Sequence, residues 1–287
     1  MKPLLLILIL LIGFSSSGLA SDLQDLPLHY QPLVDRLIKD GFDKEYLFRL
    51  FLDSRTEPIP ARLAVSLITR EISEIYTKFL AFESILLAKS FLRQNLKTLK
   101  EMERRFDVEK EIAVAILLVE SRFGDNIGKQ RVIPTLASMA IMDSAENLVK
   151  NYSTIWETNP EVPFDLIENL ASRRASWAYK ELKHFLEIVR HEEIDPLEIY
   201  GSTAGALGMP QFIPSSYKAY ALNKNSFKDW CYDPEGAILS IGNYLNAHGW
   251  KRGLSISQQK KLLWHYNRSD PYGETIVQVA QKIRGKK

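Results

Sequence analysis

The sequence predicts a mainly α-helical protein, and three observations support this fold class. Apolar residues recur at intervals of three and four along most of the chain, which is the period of a helix with a buried face. Capping residues, prolines and glycines stand where these periodic segments begin and end. No segment shows a convincing alternation of apolar and polar residues, so no long strand is expected.

The composition is that of an ordinary globular protein. The 287 residues are 46% hydrophobic, which is enough for one large or two modest cores. The formal net charge is +2, from 37 basic and 35 acidic residues, so the positive field of a general nucleic-acid-binding protein is not expected. Cys231 is the only cysteine, which excludes an intramolecular disulfide.

The first twenty residues, MKPLLLILILLIGFSSSGLA, have the features of a secretory signal peptide. A basic start at Lys2 precedes an apolar run, and small residues lead up to Ala20. The alternative is an uncleaved membrane anchor, but the apolar run is too short for a bilayer core of about 30 Å. We therefore expect cleavage after Ala20, no lipid-bearing cysteine in this region, and a mature protein that is soluble outside the cytoplasm.

Helical patterns continue through residues 21–287, with a weakly marked boundary near Phe106. They divide the chain into a helical N-terminal part, to about residue 106, and a core from about residue 107. Residues 142–172, with NPEVP in their middle, are less regular and are predicted to form a connecting excursion. Predicted helix ends are Asp107, Ser215 and Asp270 as N-terminal caps, and Gly249 as the close of a helix that begins near residue 237.

The segment AVAILLVESRFGDNIGK, residues 113–129, places one carboxylate in an apolar helix. On a helix beginning near Val108, Glu120 lies beside a stripe formed by Ile112, Ile116, Val119 and Phe123. Poor solvation at the rim of this stripe disfavours the charged form, so the carboxyl could keep a proton for a leaving oxygen. The alternative is a structural salt bridge from Glu120 to Arg122 or Lys129.

Two later segments carry further candidate residues. YGSTAGALGMPQFIPSSYKAY, residues 200–220, combines closely spaced glycines with Ser202 and Gln211, so its backbone can approach a ligand or a packed helix. WHYNRSDPY, residues 264–272, combines aromatic rings with an amide, which suits the faces and N-acetyl groups of sugars as well as a half-buried core. His265 is interpreted as structural, because no cluster in the sequence has metal-ligand spacing.

In this order, the three segments resemble the lytic murein transglycosylase B family, whose catalytic domain is similar to goose-type lysozyme. The resemblance covers residues 88–287 and is loose over residues 26–70. It includes VESRFGDNIGK, LASRRASWAYKELKHFL, GSTAGALGMPQFIPSSYKAYA, NYLNAHGW and YNRSDPY. It implies a mainly α fold with a lysozyme-like α+β catalytic core and additional N-terminal helices.

The resemblance also implies roles for individual residues. Glu120 matches the catalytic glutamate of the family, and the residues that match its substrate contacts are Ser202, Gln211, Arg173, Arg174, Tyr266, Asn267 and Tyr272. The implied partner is the glycan strand of peptidoglycan in the periplasm. The implied reaction breaks the β-1,4 bond between N-acetylmuramic acid and N-acetylglucosamine without water and leaves a 1,6-anhydro end. No cofactor and no nucleic acid are implied.

The sequence departs from the family pattern at two places. Many members carry a calcium-binding loop of alternating acids where this chain has ALNKNSFKDW, residues 221–230, with Asp229 as its one acid. We therefore predict no calcium site. The link between Met139 and Arg173 is also longer than the pattern leads us to expect, which could reshape the cleft.

Two other functions fit some of the same residues. A hydrolytic muramidase would use Glu120 together with Asp125 or Asp143 to activate water. A noncatalytic peptidoglycan-binding scaffold would keep the fold and the glycan contacts, although it would have no need of a buried acid.

Overall fold

The computed structural model describes residues 26–59, 68, 72–190, 192, 194–222 and 226–285. The predicted signal peptide lies outside these residues. Within them the chain is mainly α-helical and its two strands have two residues each, as the sequence predicts. No helix in the described ranges is both long enough and apolar enough to cross a membrane.

The chain divides into two compact units, one ending at Ser54 and the other starting at Arg55. In the first unit, helices α1 (Gln31–Lys39) and α2 (Lys44–Phe51) pack against each other. Asp43 caps α2 by accepting a 2.7 Å hydrogen bond from the backbone N–H of Tyr46. A 3-10 turn, Ser54–Thr56, follows α2.

The second unit carries the candidate site residues. Its helical elements are a 3-10 helix (Ser73–Leu80), α3 (Phe82–Gln94), α4 (Leu96–Phe106), α5 (Lys110–Ser121), α6 (Val132–Ala140), α7 (Ala145–Trp156), α8 (Phe164–Val189), a 3-10 turn (Pro196–Glu198), α9 (Pro214–Tyr220), α10 (Phe227–Trp230), α11 (Pro234–Ala247), α12 (Ile256–Tyr266) and α13 (Asp270–Arg284). Strands β1 (Gln130–Arg131) and β2 (Tyr200–Gly201) pair antiparallel, with Gln130 opposite Gly201.

Helix α5 forms the centre of the second unit. It packs against α3, α4, α11, α13 and the 3-10 helix, and every residue from Ile112 to Leu118 is buried. The prediction of a single apolar stripe with Glu120 on its rim was therefore wrong. A helix that is apolar all round is enclosed on every side, so Glu120 becomes accessible because the helix ends there.

The segment from residue 142 to 172 is a pair of helices rather than a connecting excursion. Ser144 caps α7, and α8 begins directly after the turn NPEVP and continues for 26 residues. Helix α8 packs along both α6 and α7, and Ile155 and Ile167 form a small apolar cluster in the pair. The turn residues masked the helical period on both sides of residue 160.

Three of the four predicted helix ends differ in the structure. Asp107 ends α4 in a left-handed conformation and binds Arg252, so it does not cap α5. Ser215 lies inside the first turn of α9, where Glu181 of α8 accepts hydrogen bonds from its backbone N–H and its hydroxyl, each 2.9 Å. Ser269, one residue before Asp270, caps α13. Gly249 follows α11 with a positive φ of 91°, as predicted.

Candidate active site

Glu120 lies in the last turn of α5, where the chain leaves the core. The helix ends at Ser121, and the three residues that follow it, Arg122, Phe123 and Gly124, have positive φ values of 51°, 62° and 97°. Left-handed backbone at two residues with side chains is strained and requires support from tertiary contacts. The ring of Phe123 supplies such a contact, because it stacks on Phe91 of α3 at 4.2 Å. The half-buried Glu120 is thus held at a sharp, well-supported turn.

Tyr272 is a buried neighbour of Glu120. Its side chain is 1% exposed, and its hydroxyl faces the Glu120 carboxylate. Burial, followed by the charge of Glu120, raises the pKa of Tyr272 well above its usual value. Within the described residues the hydroxyl makes no hydrogen bond of standard geometry. Tyr272 therefore stays a neutral donor directed at the carboxylate.

Tyr266 forms the next layer of aromatic contacts. Its ring lies 6.3 Å from that of Tyr272, nearly parallel to it, and 4.9 Å from that of Tyr244. Its hydroxyl donates a 2.6 Å hydrogen bond to the carbonyl oxygen of Pro210. Burial, and then the charge of Glu120, raises the pKa of Tyr266 well above its usual value. The hydrogen bond from Tyr266 to Pro210 ties the YNRSDPY segment to the glycine-rich loop.

The glycine-rich loop, residues 201–211, is ordered by its own polar side chains. The Ser202 hydroxyl oxygen accepts hydrogen bonds from the backbone N–H groups of Ala204 and Ala206, each 3.1 Å. Gln211 has a positive φ of 52°, and its side-chain amide donates to the carbonyl oxygens of Gly208 and Ile127, at 2.8 and 3.1 Å. Both residues can therefore shape the loop and still offer a polar group to a ligand, the hydroxyl hydrogen of Ser202 and the side-chain oxygen of Gln211.

Glycines bring the loop after α5 against the glycine-rich loop. A Cβ added to Gly128 would lie 1.9 Å from the carbonyl oxygen of Gly201, and one added to Gly124 would lie 3.3 Å from Cγ of Met209. Only glycine at position 128 permits this close approach to the carbonyl oxygen of Gly201. Residues 119–129, 201–211 and 266–272 thus converge, and the structure brings Glu120, Ser202, Gln211, Tyr266 and Tyr272 into one set of connected loops.

Arg173 and Arg174 lie on α8. Arg173 is exposed and donates a 3.4 Å hydrogen bond to the carbonyl oxygen of Asn169. Arg174 lies over the ring of Trp177, 5.5 Å from its centroid, and burial lowers the pKa of Arg174. The hydrogen bond of Arg173 and the ring contact of Arg174 both join residues of α8. Their role in substrate binding stays a prediction.

Asn267 ends α12 between the two tyrosines. Its backbone N–H donates to Leu263 and its carbonyl oxygen accepts from Ser269, at 3.1 and 2.8 Å. This turn separates the tyrosines by six residues while their rings stay nearly parallel.

The sequence reading missed two aromatic supports of the site. Tyr244 packs on Phe212 and donates a 2.6 Å hydrogen bond to the carbonyl oxygen of His265. Tyr76 packs edge-on against Tyr272, with 6.3 Å between ring centroids. Nothing local in the sequence distinguishes a core tyrosine from one that supports a functional site.

The alternative partners of Glu120 take other contacts or are exposed. Arg122 pairs with Asp125 at 3.6 Å, and both side chains are more than half exposed. Lys129 and Asp143 are exposed as well. Exposed carboxylates such as Asp125 and Asp143 lack the burial that tunes a catalytic acid or base.

Metal-binding groups are absent from the part of the chain that the structure describes. No three or more His, Cys, Asp or Glu side chains there lie close enough together to hold a metal ion. Asp229 instead accepts a hydrogen bond from the hydroxyl of Ser226 at 2.6 Å, at the start of α10. Residues 223–225 of the candidate loop lie outside the described residues, so the absence of a calcium site stays a prediction.

The sequence matches the family model of the transglycosylase SLT domain over residues 29–262. It is 30% identical over 242 residues to the membrane-bound lytic murein transglycosylase B of Escherichia coli (strain K12). That alignment covers 79% of this chain and 59% of the relative, so the chain spans less than two thirds of the relative's length.

The fold is similar to those of solved lytic transglycosylases. The catenated lytic transglycosylase SltB1 of Pseudomonas aeruginosa superimposes with a TM-score of 0.70 at 23% identity, over 91% of this chain and 99% of that one. The Escherichia coli lytic transglycosylase Slt35 in complex with bulgecin A has a TM-score of 0.69 at 24% identity, over 90% of this chain and 93% of that one. SltB3 of Pseudomonas aeruginosa in complex with NAG-anhNAM-pentapeptide has a TM-score of 0.66 at 19% identity, over 91% of this chain and 80% of that one. These likenesses confirm the predicted lysozyme-like fold class.

Proposed function

Because the chain belongs to the transglycosylase SLT domain family, we propose that it is a lytic murein transglycosylase. Its substrate is peptidoglycan, and the bond it cleaves is the β-1,4 bond between N-acetylmuramic acid and N-acetylglucosamine. The product carries a 1,6-anhydromuramoyl end. The observation that carries this proposal is the half-buried Glu120 at the end of a buried helix, faced by the neutral hydroxyl of Tyr272.

The first step is protonation of the leaving oxygen by Glu120. Helix α5 ends at Ser121, and the negative end of its dipole lies beside the carboxyl group. In its protonated form, a carboxyl group at this position can donate its proton to the glycosidic oxygen. The C1–oxygen bond then breaks, and positive charge develops at C1 of the muramoyl residue.

The second step uses the same carboxylate as a base. Glu120 takes the proton of the muramoyl C6 hydroxyl while that oxygen forms a bond with C1. One glycosidic bond has broken, one intramolecular ether bond has formed, and the proton lost from O6 balances the proton given to the leaving sugar. Most glycosidases use a second carboxylate for this half of the reaction. Here the substrate's own hydroxyl replaces water.

The remaining site residues position the glycan. Ser202 and Gln211 belong to the glycine-rich loop, where the hydroxyl hydrogen of Ser202 can donate to the sugars and the side-chain oxygen of Gln211 can accept from them. Tyr266 and Asn267 stand on the opposite loop, and Arg173 and Arg174 extend the binding surface along α8. Tyr272 donates toward Glu120, which stabilises the carboxylate once the first proton has left.

Product analysis tests this function directly. Purified peptidoglycan digested by the wild-type chain should yield muropeptides with 1,6-anhydro ends, seen by mass spectrometry as products lacking the mass of one water. Glu120→Gln keeps the shape of the side chain but removes the transferable proton, so cleavage should fall by at least about 10²-fold to 10⁴-fold. Cleavage by this variant at a near wild-type rate would contradict the role of Glu120.

The alternative functions give different products. A hydrolytic muramidase would release reducing ends, and a noncatalytic scaffold would bind peptidoglycan and release nothing. Peptidoglycan lies outside the cytoplasm, so the chain would act in the periplasm, in agreement with the signal-like character of residues 1–20. Fractionation of cells that express the full chain, with mass spectrometry of its N-terminus, tests export and cleavage after Ala20.

A further inference from the structure

A cavity of about 330 Å³ lies behind the glycine-rich loop and takes no part in the proposed reaction. Its walls are mainly apolar and include Ile127, Ile199 and Phe227, while Tyr232 stands at its mouth with 60% of its surface exposed. This volume lies at the lower end of the range of ligand pockets in proteins. An exposed aromatic ring beside an apolar cavity is a typical binding feature.

Three walls of this cavity are joined directly to residues of the candidate cleft. The carbonyl oxygen of Ile127 accepts the side-chain amide of Gln211 at 3.1 Å. The carbonyl oxygen of Cys231 accepts the backbone N–H of Met209 at 3.0 Å. Strand β2, whose Tyr200 lines the cavity, leads within two residues to Ser202. The cavity therefore lies within a few residues' length of the glycan-binding loop.

The charges around the cavity favour an anionic ligand group. Asp195 and Glu198 line it, but both accept hydrogen bonds from Arg55 at 2.7 Å, and Glu198 also accepts one from Arg131 at 3.1 Å. These two acids are therefore neutralised. Lys228 also lines the cavity, is exposed, and has no ion pair among the residues that the structure describes.

We propose that this cavity binds the peptide stem that muramic acid carries on its lactyl group. This inference rests on the proposed function and adds a second recognition site to it. The stem is a short peptide with small apolar side chains and free carboxylates, which match the apolar walls and the ammonium group of Lys228. A glycan bound along Ser202 and Gln211 would carry its stem past Tyr200 to the cavity mouth at Tyr232.

Paired substrates test the cavity separately from the chemistry. One is intact peptidoglycan, and the other is the same glycan after an amidase has removed its stems. Tyr232→Ala and Lys228→Ala should each raise KM for the stem-bearing glycan by about three- to tenfold, because an aromatic contact or an ion pair contributes on the order of 1 kcal/mol. KM for the stem-free glycan should stay within about twofold of wild type, and so should kcat on both substrates.

Matched variants control for charge and folding. Tyr232→Phe keeps the ring and should retain wild-type KM, and Lys100→Ala removes an exposed lysine on α4, away from the cavity lining. Equal effects of Tyr232→Ala and Lys228→Ala on both glycans, or no effect of either on KM, would overturn the proposal.

A binding measurement keeps the cavity testable even if the cleavage reaction proves different. Saturation-transfer NMR with millimolar free stem tetrapeptide should show contacts with the wild-type chain and with Glu120→Gln, and weaker contacts with Lys228→Ala. Identical signals for the wild type and Lys228→Ala would exclude the cavity as the peptide site. Absence of anhydro products would instead contradict the proposed function.

Discussion

The buried hydroxyl of Tyr272 faces the carboxylate of Glu120. Within the described residues this hydroxyl makes no hydrogen bond of standard geometry. The ring is held on both sides, since it packs edge-on against Tyr76 and nearly parallel to Tyr266, each at 6.3 Å. An unsatisfied buried hydroxyl costs stability and is commonly retained for a functional reason. In the proposed reaction, this hydroxyl would stabilise the negative charge that Glu120 acquires.

Tyr272→Phe should therefore separate catalysis from stability. Removing a donor directed at developing charge should lower kcat by about 10-fold to 100-fold, with little change in KM. Thermal stability should stay equal or rise slightly, because the hydroxyl has no standard hydrogen bond to lose. Tyr179→Phe, a buried tyrosine of α8, is the matched control and should keep wild-type kcat. A wild-type kcat for Tyr272→Phe would show that the hydroxyl does not assist Glu120.

Gly128→Ala should disrupt the junction of the two cleft loops. Its added Cβ would meet the carbonyl oxygen of Gly201 at 1.9 Å, and its φ of 100° is left-handed. Gly249→Ala is a matched control, because Gly249 has a φ of 91° and open space around it. The control should cost about 1 kcal/mol for the backbone conformation alone. Denaturant unfolding should show a clearly larger loss of unfolding free energy for Gly128→Ala than for Gly249→Ala, and Gly128→Ala should also lose cleavage activity. Equal losses of unfolding free energy in the two variants would contradict the close approach of Gly128 to Gly201.

Asp125→Asn and Asp143→Asn should leave the reaction type unchanged. Both side chains are exposed, and the proposed reaction uses no carboxylate besides Glu120. Each variant should cut peptidoglycan at a modestly reduced rate and still produce anhydro ends. In a hydrolase, loss of the base that activates water would reduce turnover by orders of magnitude. If the wild type gives mainly reducing ends and one of these variants is nearly inactive, the chain is a hydrolytic muramidase and the transglycosylase proposal is wrong.

Added calcium should leave the thermal stability of the chain unchanged. Residues 221–230 carry one acid, Asp229, whereas calcium prefers six to eight oxygen ligands. A ligand that binds the folded state would raise Tm with concentration. A rise in Tm with calcium that a chelator reverses would show that this loop does bind the ion.

Glu111 should make the stability of the chain depend on pH. Burial raises its pKa, but its backbone N–H, Lys110 and Arg284 outweigh burial, so the pKa is lowered from 4.5. A depressed folded pKa means that the stabilisation is present above the unfolded value and is lost as pH falls through the folded value. Glu111→Gln should therefore cost about 1 kcal/mol near pH 7, and this deficit should shrink as the pH falls below the unfolded value.

The ion pair between Arg284 and Glu111, 3.2 Å long, joins the end of α13 to the start of α5. Arg284→Gln should therefore show the same trend with pH, and the double variant should lose less than the sum of the two. A Glu111→Gln deficit that stays constant from neutral to acid pH would show that packing, rather than charge, is what the substitution removes.

Much of the candidate site could be identified from the sequence because its chemistry lies in short segments. An acid in an apolar run stands out locally, and so do closely spaced glycines and an aromatic segment with an amide. The helix ends were less predictable. Glu181 stabilises the first turn of α9 from α8, 34 residues away along the chain, and no local pattern encodes such a cap.

The sequence by itself determined the helical class, the ionisable residue at the edge of the core and the family to which the chain belongs. These follow from local periodicity, from solvation of single side chains and from the order of motifs. Tertiary structure alone decided that Gly128 meets Gly201, that Tyr272 faces Glu120, and that Ile127, Tyr200 and Phe227 line one cavity. Such relations depend on how distant segments pack, because only the packed core fixes the positions where those segments meet.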